Sequence, residues 1–304
     1  MPHLSIIVPH IHDDSGLEIT LLSILENRDS DSEILVVHDG GYRDPYGLDQ
    51  DEAVLIETSK GLSLTSQINL AIASACSPYI QVLMPGSIVE SGWYDEALDV
   101  MGNQSVSVVC LPIQNDVTGE VYTGLSADSL PHRRVVDQSV GIGGPLLCGG
   151  VFRKRALDAM GGWLEQIQRE AAEVELALLM SALDLKIAIA ETAGIHASKR
   201  VAAGFESGYE MGHECGQLAC AYASIEETGI VIDSLARRLG HLASGLMSPK
   251  TVAERLGWVM GIRNRAYVKT VRERFESAAA SLSSGPSTIL MPTREASKRK
   301  RLAA

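Results

Sequence analysis

Aromatic residues are scarce in this 304-residue chain, and basic residues are scarce over most of its length. Phe, Trp and Tyr together make up 5% of the residues, which leaves few side chains for stacking on single-stranded nucleic acid. Residues 1–249 carry 14 Lys and Arg against 34 Asp and Glu. Binding to duplex DNA depends on neutralising phosphates, so this acidic body predicts that DNA is not a partner.

Long apolar runs and paired cysteines are also lacking. No stretch approaches the roughly 20 apolar residues of a membrane-spanning helix. The opening MPHLSIIVPH has no basic segment and only a short apolar run, unlike a signal peptide. The five cysteines do not have the spacing of a disulfide framework, which favours a reducing compartment. We therefore expect a soluble cytoplasmic protein.

The C-terminal end carries the opposite charge. Residues 250–304 contain 12 Lys and Arg against 4 Asp and Glu. A helix predicted over residues 251–277 has apolar residues near one side and arginines outside them. This pattern suits a core-facing helix with a solvated basic face, a surface for a helical partner, or contact with a membrane surface. Peripheral membrane contact through this end therefore stays open.

Short, β-branched, apolar runs alternate with helix-like segments through the first two thirds of the chain. This alternation predicts an α/β fold with a mainly parallel sheet flanked by helices, whose functional groups gather at the carboxyl ends of the strands. The predicted strands are Leu4–Val8, Glu33–Val37, Ala53–Glu57, Tyr79–Leu83, Val106–Leu111 and Lys186–Ala190. The predicted helices are Gly16–Asn27 with Ser15 as its N-cap, Leu62–Cys76, Gln166–Ala182, Ile230–Ser244 and Thr251–Ala280.

The middle of the chain breaks this alternation. Residues 112–140 contain the polar stretch SADSLPHRRVVDQS, which we interpret as a loop long enough to act as a flexible lid. The glycine-rich GIGGPLLCGG follows it and does not match a phosphate-binding glycine motif. We interpret this second stretch as closely packed backbone beneath an acceptor site.

A series of motifs runs along the chain: LSIIVPH, EILVVHDGG, SQINLA, YIQVLMPG, FRKRALDAMGGW, AEVELALL and GIHA. In order and spacing this series resembles the family 2 glycosyltransferases, which have the GT-A fold. The resemblance covers roughly residues 4–197. It implies a GT-A domain over residues 1–200, and the pattern beyond it predicts a helical extension over 201–281 and a basic, disordered tail over 282–304.

The resemblance implies a nucleotide pocket at the ends of the first strands. Pro9 corresponds to the bend that opens the pocket, and Asp39 to the residue that contacts the uracil or ribose of a sugar nucleotide. Asn69 corresponds to the last residue of the family's Ala-Arg-Asn motif. A carboxylate just after a strand suits recognition of a ribose hydroxyl. Taken alone, Asp39 also fits a plain Asp-Gly turn, and that alternative stays open.

The resemblance also implies the reacting groups. Glu173 corresponds to the catalytic base, which would take the proton of the acceptor hydroxyl while that oxygen attacks the anomeric carbon. His196 corresponds to the histidine that often completes the metal shell. Glu173 and Glu175 lie about 200° apart on a helix, so only one of them should face the site. If this helix is a surface amphipath, both are instead solvated charges.

The metal-binding motif departs from the family. Met84 and Gly86 stand where the family has the two carboxylates of Asp-x-Asp, and a divalent ion that neutralises a departing diphosphate needs hard oxygen ligands. Glu90 and Asp95, predicted to lie on the next helix, are poor substitutes. We therefore expect no metal at the usual position, and a Mn²⁺ or Mg²⁺ ion only if His196 and non-standard ligands suffice.

Two main functions stay open, and a membrane-associated assembly factor that acts through the basic C-terminal helices is a third. In the first, the protein transfers a sugar from a UDP- or GDP-linked donor to a hydroxyl of a glycan, lipid or small molecule, as in polysaccharide biosynthesis. Fixed cations then replace the metal, and the available ones are Lys199, Arg200, Arg133 and Arg134. In this first function His196 also lies near the diphosphate. In the second, the protein has the glycosyltransferase-like fold but no transferase activity, and serves as a binding or scaffold protein.

Overall fold

The computed structural model describes residues 3–48, 52–137, 141–192, 194–204, 208–225 and 249–284. The strands are β1 Leu4–Pro9, β2 Ser32–His38, β3 Val54–Glu57, β4 Tyr79–Val82, β5 Ile88–Val89, β6 Val106–Cys110, β7 Ile113–Gln114, β8 Val121–Tyr122, β9 Gly124–Ser126, β10 Val135–Val136, β11 Ile142–Pro145, β12 Gly150–Arg153, β13 Lys186–Ile189 and β14 Ile195–His196. The helices are α1 Asp14–Asn27, α2 Leu64–Ser74, α3 Asp95–Met101, α4 Lys154–Met160, α5 Arg169–Ala182, α6 Lys199–Ala203, α7 Tyr209–Ala223, α8 Pro249–Ile262 and α9 Val268–Ser284.

The largest sheet has seven strands in the order β13-β6-β12-β4-β1-β2-β3. β1 is parallel to β2 and β4, β2 is parallel to β3, and β6 is parallel to β13. β12 runs antiparallel to both of its neighbours, β4 and β6. All residues of β1 are buried, as expected for a central strand covered on both faces. The predicted α/β fold with a mainly parallel sheet is therefore confirmed.

Local capping sets the starts of two helices beside the sheet. Asp13 caps α1 by accepting a hydrogen bond from the Gly16 N–H, and Ser63 caps α2 by accepting one from Ser66. The prediction of Ser15 as the α1 N-cap is wrong. Asp13 offers a side-chain acceptor two residues earlier, and the helix begins at Asp14.

The stretch interpreted as a flexible lid belongs to a small sheet. β9 pairs antiparallel with both β10 and β11, and residues 127–129 form a short 3-10 turn. The Arg133 side chain is 4% exposed. Ser126 and Val135–Val136 of this stretch therefore belong to strands, whereas residues 130–134 form a loop between them, and the role of this loop as a lid stays a prediction.

The third sheet, in the order β5-β14-β7-β8, was not predicted. Its strands are two residues long, which is too short to show a period of two in the sequence. Glu90 follows β5 directly, so the prediction that it lies on a helix is wrong. Asp95 is the first residue of α3, as expected.

The helices after residue 208 pack closely on one another. The single helix predicted over Thr251–Ala280 is two helices, α8 and α9. A Cβ atom added at Gly212 would lie 2.0 Å from the Glu254 carbonyl oxygen, and one at Gly257 would lie 2.0 Å from the Tyr209 carbonyl oxygen. The backbones of α7 and α8 can therefore approach this closely only because each carries glycine at the crossing.

The helical extension contacts the rest of the chain through buried polar groups. The Tyr222 hydroxyl on α7 donates a 2.8 Å hydrogen bond to Glu175 on α5, and Arg274 on α9 lies 3.1 Å from the same carboxylate oxygen. Burial and the neighbouring Glu175 charge raise the pKa of Tyr222 well above its usual value. The predicted helix Ile230–Ser244 and the tail beyond residue 284 lie outside the described residues.

None of the helices in the described part of the chain is both long and apolar enough to cross a bilayer.

Candidate functional site

A cleft of about 1150 Å³ opens at the carboxyl ends of β1 and β4. One wall is formed by residues 11–13, which follow β1, and by Met84 and Pro85, which follow β4. The other wall is formed by the beginnings of α5, α6 and α7. This edge of a parallel sheet is where α/β proteins bind their ligands, so the cleft is the candidate functional site.

The turn after β4 is anchored on α1. The Gly86 N–H donates to the Gly16 carbonyl at 3.0 Å and to the Thr20 hydroxyl at 2.9 Å. Gly86 has a φ of +89°, a conformation that an aspartate adopts only with strain. The Met84 side chain is buried. The turn thus lacks the carboxylates of Asp-x-Asp, and its backbone would hold the second carboxylate only with strain.

Asp39 follows β2 and lies beside His12, which lines the cleft. One carboxylate oxygen accepts the Gly41 N–H at 3.2 Å, and the other lies 3.6 Å from His12 Nε2. The Asp39 side chain is 15% exposed. The Asp-Gly turn is therefore present, and one carboxylate oxygen is free of it and faces a cleft residue.

Glu173 is buried in α5 and surrounded by donors. Two guanidinium nitrogens of Arg133 donate to Oε2 at 3.1 and 2.6 Å, and the Leu147 N–H donates to Oε1 at 3.0 Å. Arg169 Nε lies 3.5 Å from Oε1. Glu173 does not line the cleft. Its carboxylate, predicted as the catalytic base, is instead paired with Arg133, which was predicted as a leaving-group cation.

The surface-amphipath alternative for α5 is wrong. Glu173 is 1% exposed and Glu175 is fully buried. The two carboxylates nevertheless turn apart as predicted, because Glu173 contacts Arg133 whereas Glu175 contacts Tyr222 and Arg274. Each charge is compensated by a different part of the chain, so the helix is internal rather than solvated.

Two residues in the first turn of α5 line the cleft and were not predicted. Arg169 donates to the carbonyl oxygens of Val201 and Ala202 at 3.0 and 3.3 Å. Burial would lower the pKa of Arg169, but the Glu173 charge raises it, and the net direction is upward. Glu170 lines the cleft as well. Their position at the start of the predicted helix could have indicated this role, because that end of the helix faces the carboxyl ends of the strands.

The predicted leaving-group cations are only partly brought together. Arg200 on α6 lines the cleft. Lys199 precedes it and acts on Glu120, whose pKa is lowered by a hydrogen bond from Tyr122 and, to a lesser extent, by the Lys199 charge. Arg134 is exposed and does not line the cleft. Of the four predicted cations, Arg200 therefore has the best placement for a ligand in the cleft.

His196 lies in β14 of the four-stranded sheet, and both of its ring nitrogens contact carboxylates. Nδ1 is 2.6 Å from Asp116 and Nε2 is 2.9 Å from Glu90. The side chain is 16% exposed and does not line the cleft. A metal ion would need one of these nitrogens as a lone-pair donor, so this arrangement does not offer the ligand that the resemblance implied.

The other two residues predicted at the nucleotide pocket, Pro9 and Asn69, do not line the cleft. Pro9 ends β1 and is buried. The Asn69 amide on α2 donates to the Trp163 carbonyl at 2.8 Å and accepts the Trp163 N–H at 2.9 Å. Asn69 thereby holds the segment after α4 against α2, away from the cleft walls.

Comparisons with known proteins give a fold and no family. No protein-family model matches the chain, and a search of curated proteins found no match. Among solved structures, S. aureus TarS residues 1–349 match with a TM-score of 0.55 and 15% identity, over 93% of this chain and 90% of that chain. The same TarS fragment in complex with UDP matches with a TM-score of 0.53 and 15% identity, over 93% of this chain and 90% of that chain. Its complex with UDP-GlcNAc matches with a TM-score of 0.55 and 14% identity, over 93% and 91%. The glycosyltransferase-type α/β fold implied by the motifs is thus confirmed.

Proposed function

We propose that this chain is a GT-A-type glycosyltransferase that uses a nucleotide-sugar donor without a metal bound at an Asp-x-Asp motif. The observation that carries the proposal is the cleft at the carboxyl ends of β1 and β4, in a fold shared with TarS structures bound to UDP and UDP-GlcNAc. Fold alone does not fix chemistry, so the proposal rests on the residues around this cleft.

The nucleoside is proposed to bind near Asp39. One carboxylate oxygen is engaged by the Gly41 N–H, and the other faces His12 on the cleft wall. That oxygen can accept a hydrogen bond from a ribose hydroxyl or a base N–H. The base is proposed to be uracil by likeness to the UDP complexes, with guanine as the competing choice.

The diphosphate is proposed to lie between the Met84–Gly86 turn and α6. Arg200 lines this part of the cleft, and guanidinium groups bind phosphate oxygens with two donors. Arg169 also lines the cleft, but it is already bonded to backbone carbonyls of α6. We therefore assign the leaving-group charge first to Arg200 and the positioning of α6 to Arg169. Lys199 adds positive charge next to Arg200.

The catalytic base, which accepts the proton of the acceptor hydroxyl, is proposed to be a glutamate of α5. By resemblance it is Glu173, which would have to exchange its Arg133 contact for the acceptor hydroxyl. Glu170 is the competing residue, because it already lines the cleft. In either case the acceptor oxygen bonds to the anomeric carbon, the bond from that carbon to the diphosphate breaks, and the proton passes to the carboxylate.

Release of UDP from UDP-GlcNAc, with and without candidate acceptors, tests the transfer reaction. We expect turnover in chelator, and a loss of about 100-fold or more when the true base is changed. Glu173→Gln and Glu170→Gln, measured side by side, separate the two assignments. Circular dichroism of each variant shows whether the loss reflects chemistry or unfolding.

One observation favours a second candidate, a nucleotide-binding protein without transfer activity. The Glu173 side chain is fully buried and paired with Arg133, an arrangement that keeps its carboxylate from accepting the proton of an acceptor hydroxyl. UDP binding without any turnover, in the wild type and in both glutamate variants, would favour this second function.

We also propose that a GT-A domain ends at residue 200 and that a helical extension ends at residue 281. The cleft takes residues from both sides of the first boundary.

A further inference from the structure

Two histidines and an aspartate meet at the ends of β1 and β2. His10, His12 and Asp39 each offer one ligand atom, and these three atoms lie within 4.8 Å of one another. The three residues come from two segments that are 27 positions apart in the chain. Parallel pairing of β1 with β2 brings the segments together, since Pro9 is opposite Val37.

One nitrogen of the buried His10 has no partner. Nε2 is 2.7 Å from the Asp14 carboxylate, whereas Nδ1 is buried without a hydrogen bond. The His10 side chain is 2% exposed. A ring whose Nε2–H donates to Asp14 carries its lone pair on Nδ1. A histidine that donates one N–H to a carboxylate and leaves the other nitrogen open has the arrangement usual for metal ligands.

The other two ligands are close to coordination geometry. His12 Nε2 lies 3.6 Å from Asp39 Oδ2, and two ligands of a tetrahedral Zn²⁺ site with bonds of about 2.1 Å lie about 3.4 Å apart. His12 has a φ of 60°, a left-handed conformation that is uncommon outside glycine and concentrates at functional sites. The ligand atom of His10 lies within 4.8 Å of those of His12 and Asp39, so the three groups would have to move closer to bind an ion.

We propose that His10 Nδ1, His12 and Asp39 form a binding site for a divalent transition-metal ion such as Zn²⁺ or Co²⁺. Two imidazole nitrogens with one carboxylate favour these ions over Mg²⁺ and Ca²⁺, which prefer oxygen ligands. Three protein ligands leave at least one coordination position open. His12 also lines the cleft, so the proposed site borders the cleft.

This site is distinct from the Asp-x-Asp position, because none of its ligands comes from the turn after β4. It does not depend on the proposed transferase activity, and its test contains no nucleotide. Asp39 belongs to both proposals, so we expect the bound ion and a nucleoside to compete for its carboxylate.

Titration of the tag-free, full-length chain with Co²⁺, followed by visible absorption and by calorimetry, tests the site. We expect one Co²⁺ per chain, displaced by Zn²⁺ and not by excess Mg²⁺. His12→Ala and Asp39→Asn should each weaken binding at least 10-fold. His12 is 73% exposed, so removing its ring should leave the fold intact. Asp14→Asn should weaken binding by about 10- to 100-fold, because it loosens the His10 ring.

His3→Ala is the matched control. His3 lies 3.8 Å from Asp31, with both side chains 70% exposed, so it offers the same pair of groups without the third ligand. Binding should be unchanged in this variant. Absence of stoichiometric Co²⁺ binding would overturn the proposal. Binding that survives both His12→Ala and Asp39→Asn, or that falls equally in His3→Ala, would also overturn it.

Discussion

Replacing Arg133 by methionine should strongly destabilise the protein. Arg133 and Glu173 have side chains that are 4% and 0% exposed, and Arg133 supplies two of the hydrogen bonds to the carboxylate. Removing one partner of a buried ion pair costs about 3–5 kcal/mol, because the other charge stays buried. We expect about 3 kcal/mol, the lower end, since Leu147 N–H and Arg169 remain next to the carboxylate.

Guanidinium unfolding measures this loss. With a slope of about 5 kcal/mol per molar, a loss of 3 kcal/mol moves the midpoint down by about 0.6 M. The neighbouring Arg134 is exposed and provides the control. Arg134→Met should change the free energy of unfolding by less than about 0.5 kcal/mol, or about 0.1 M in midpoint.

The double variant Arg133→Met/Glu173→Leu completes the cycle. Apolar side chains of similar size can replace a buried ion pair at little cost, so the double variant should recover most of the stability lost in Arg133→Met. A midpoint for Arg133→Met within 0.1 M of the wild type would refute this reasoning.

Three further results are expected. Gly257→Ala should cost about 1–3 kcal/mol by overpacking, whereas Gly208→Ala, where a Cβ meets open space, should change unfolding little; equal effects would contradict the close helix crossing. Burial raises the pKa of Cys110 from 9.0 to about 12. The stability it contributes is therefore intact below pH 9 and is lost between about pH 9 and 12, and Cys110→Ala should flatten that alkaline decline in chemical unfolding. If α8 contacts membranes peripherally, the wild type should sediment with anionic vesicles, whereas the Leu256→Gln/Met260→Gln variant, changed at two exposed apolar residues, should not. Equal sedimentation of both proteins would contradict membrane contact through α8.

Six of the seven strands of the central sheet could be predicted, because each is a short apolar run that is visible in the local sequence. The runs at Leu4–Pro9 and Val106–Cys110 are continuously buried, and such runs carry a strong apolar signal. The edge strand β3 was found as well, although Val54 is 53% exposed. The pattern did not predict β12, the antiparallel strand between β6 and β4, which follows the glycine-rich stretch interpreted as closely packed backbone. It also did not predict the short strands of the two smaller sheets, whose pairing depends on distant partners rather than on composition.

The candidate site was only partly predictable. Asp39 and Arg200 were found through their positions in a series of motifs, and the structure places Arg200 on the cleft and Asp39 beside it. The Arg133–Glu173 pair was not predicted, because it joins residues 40 positions apart that no local pattern connects. The glycines of α7 and α8 did carry a signal, since each helix has two glycines four residues apart, a spacing that lets helices pack closely.

Calorimetric titration of UDP into the wild type and Asp39→Ala, in chelator and again with Mn²⁺, tests the central claim most directly. The account predicts that UDP binds in chelator, that Mn²⁺ does not strengthen binding, and that Asp39→Ala weakens it by at least 10-fold. Titration of GDP under the same conditions tests whether the site prefers uracil to guanine. Absence of UDP and GDP binding under both conditions would contradict the account, and so would UDP binding that requires Mn²⁺.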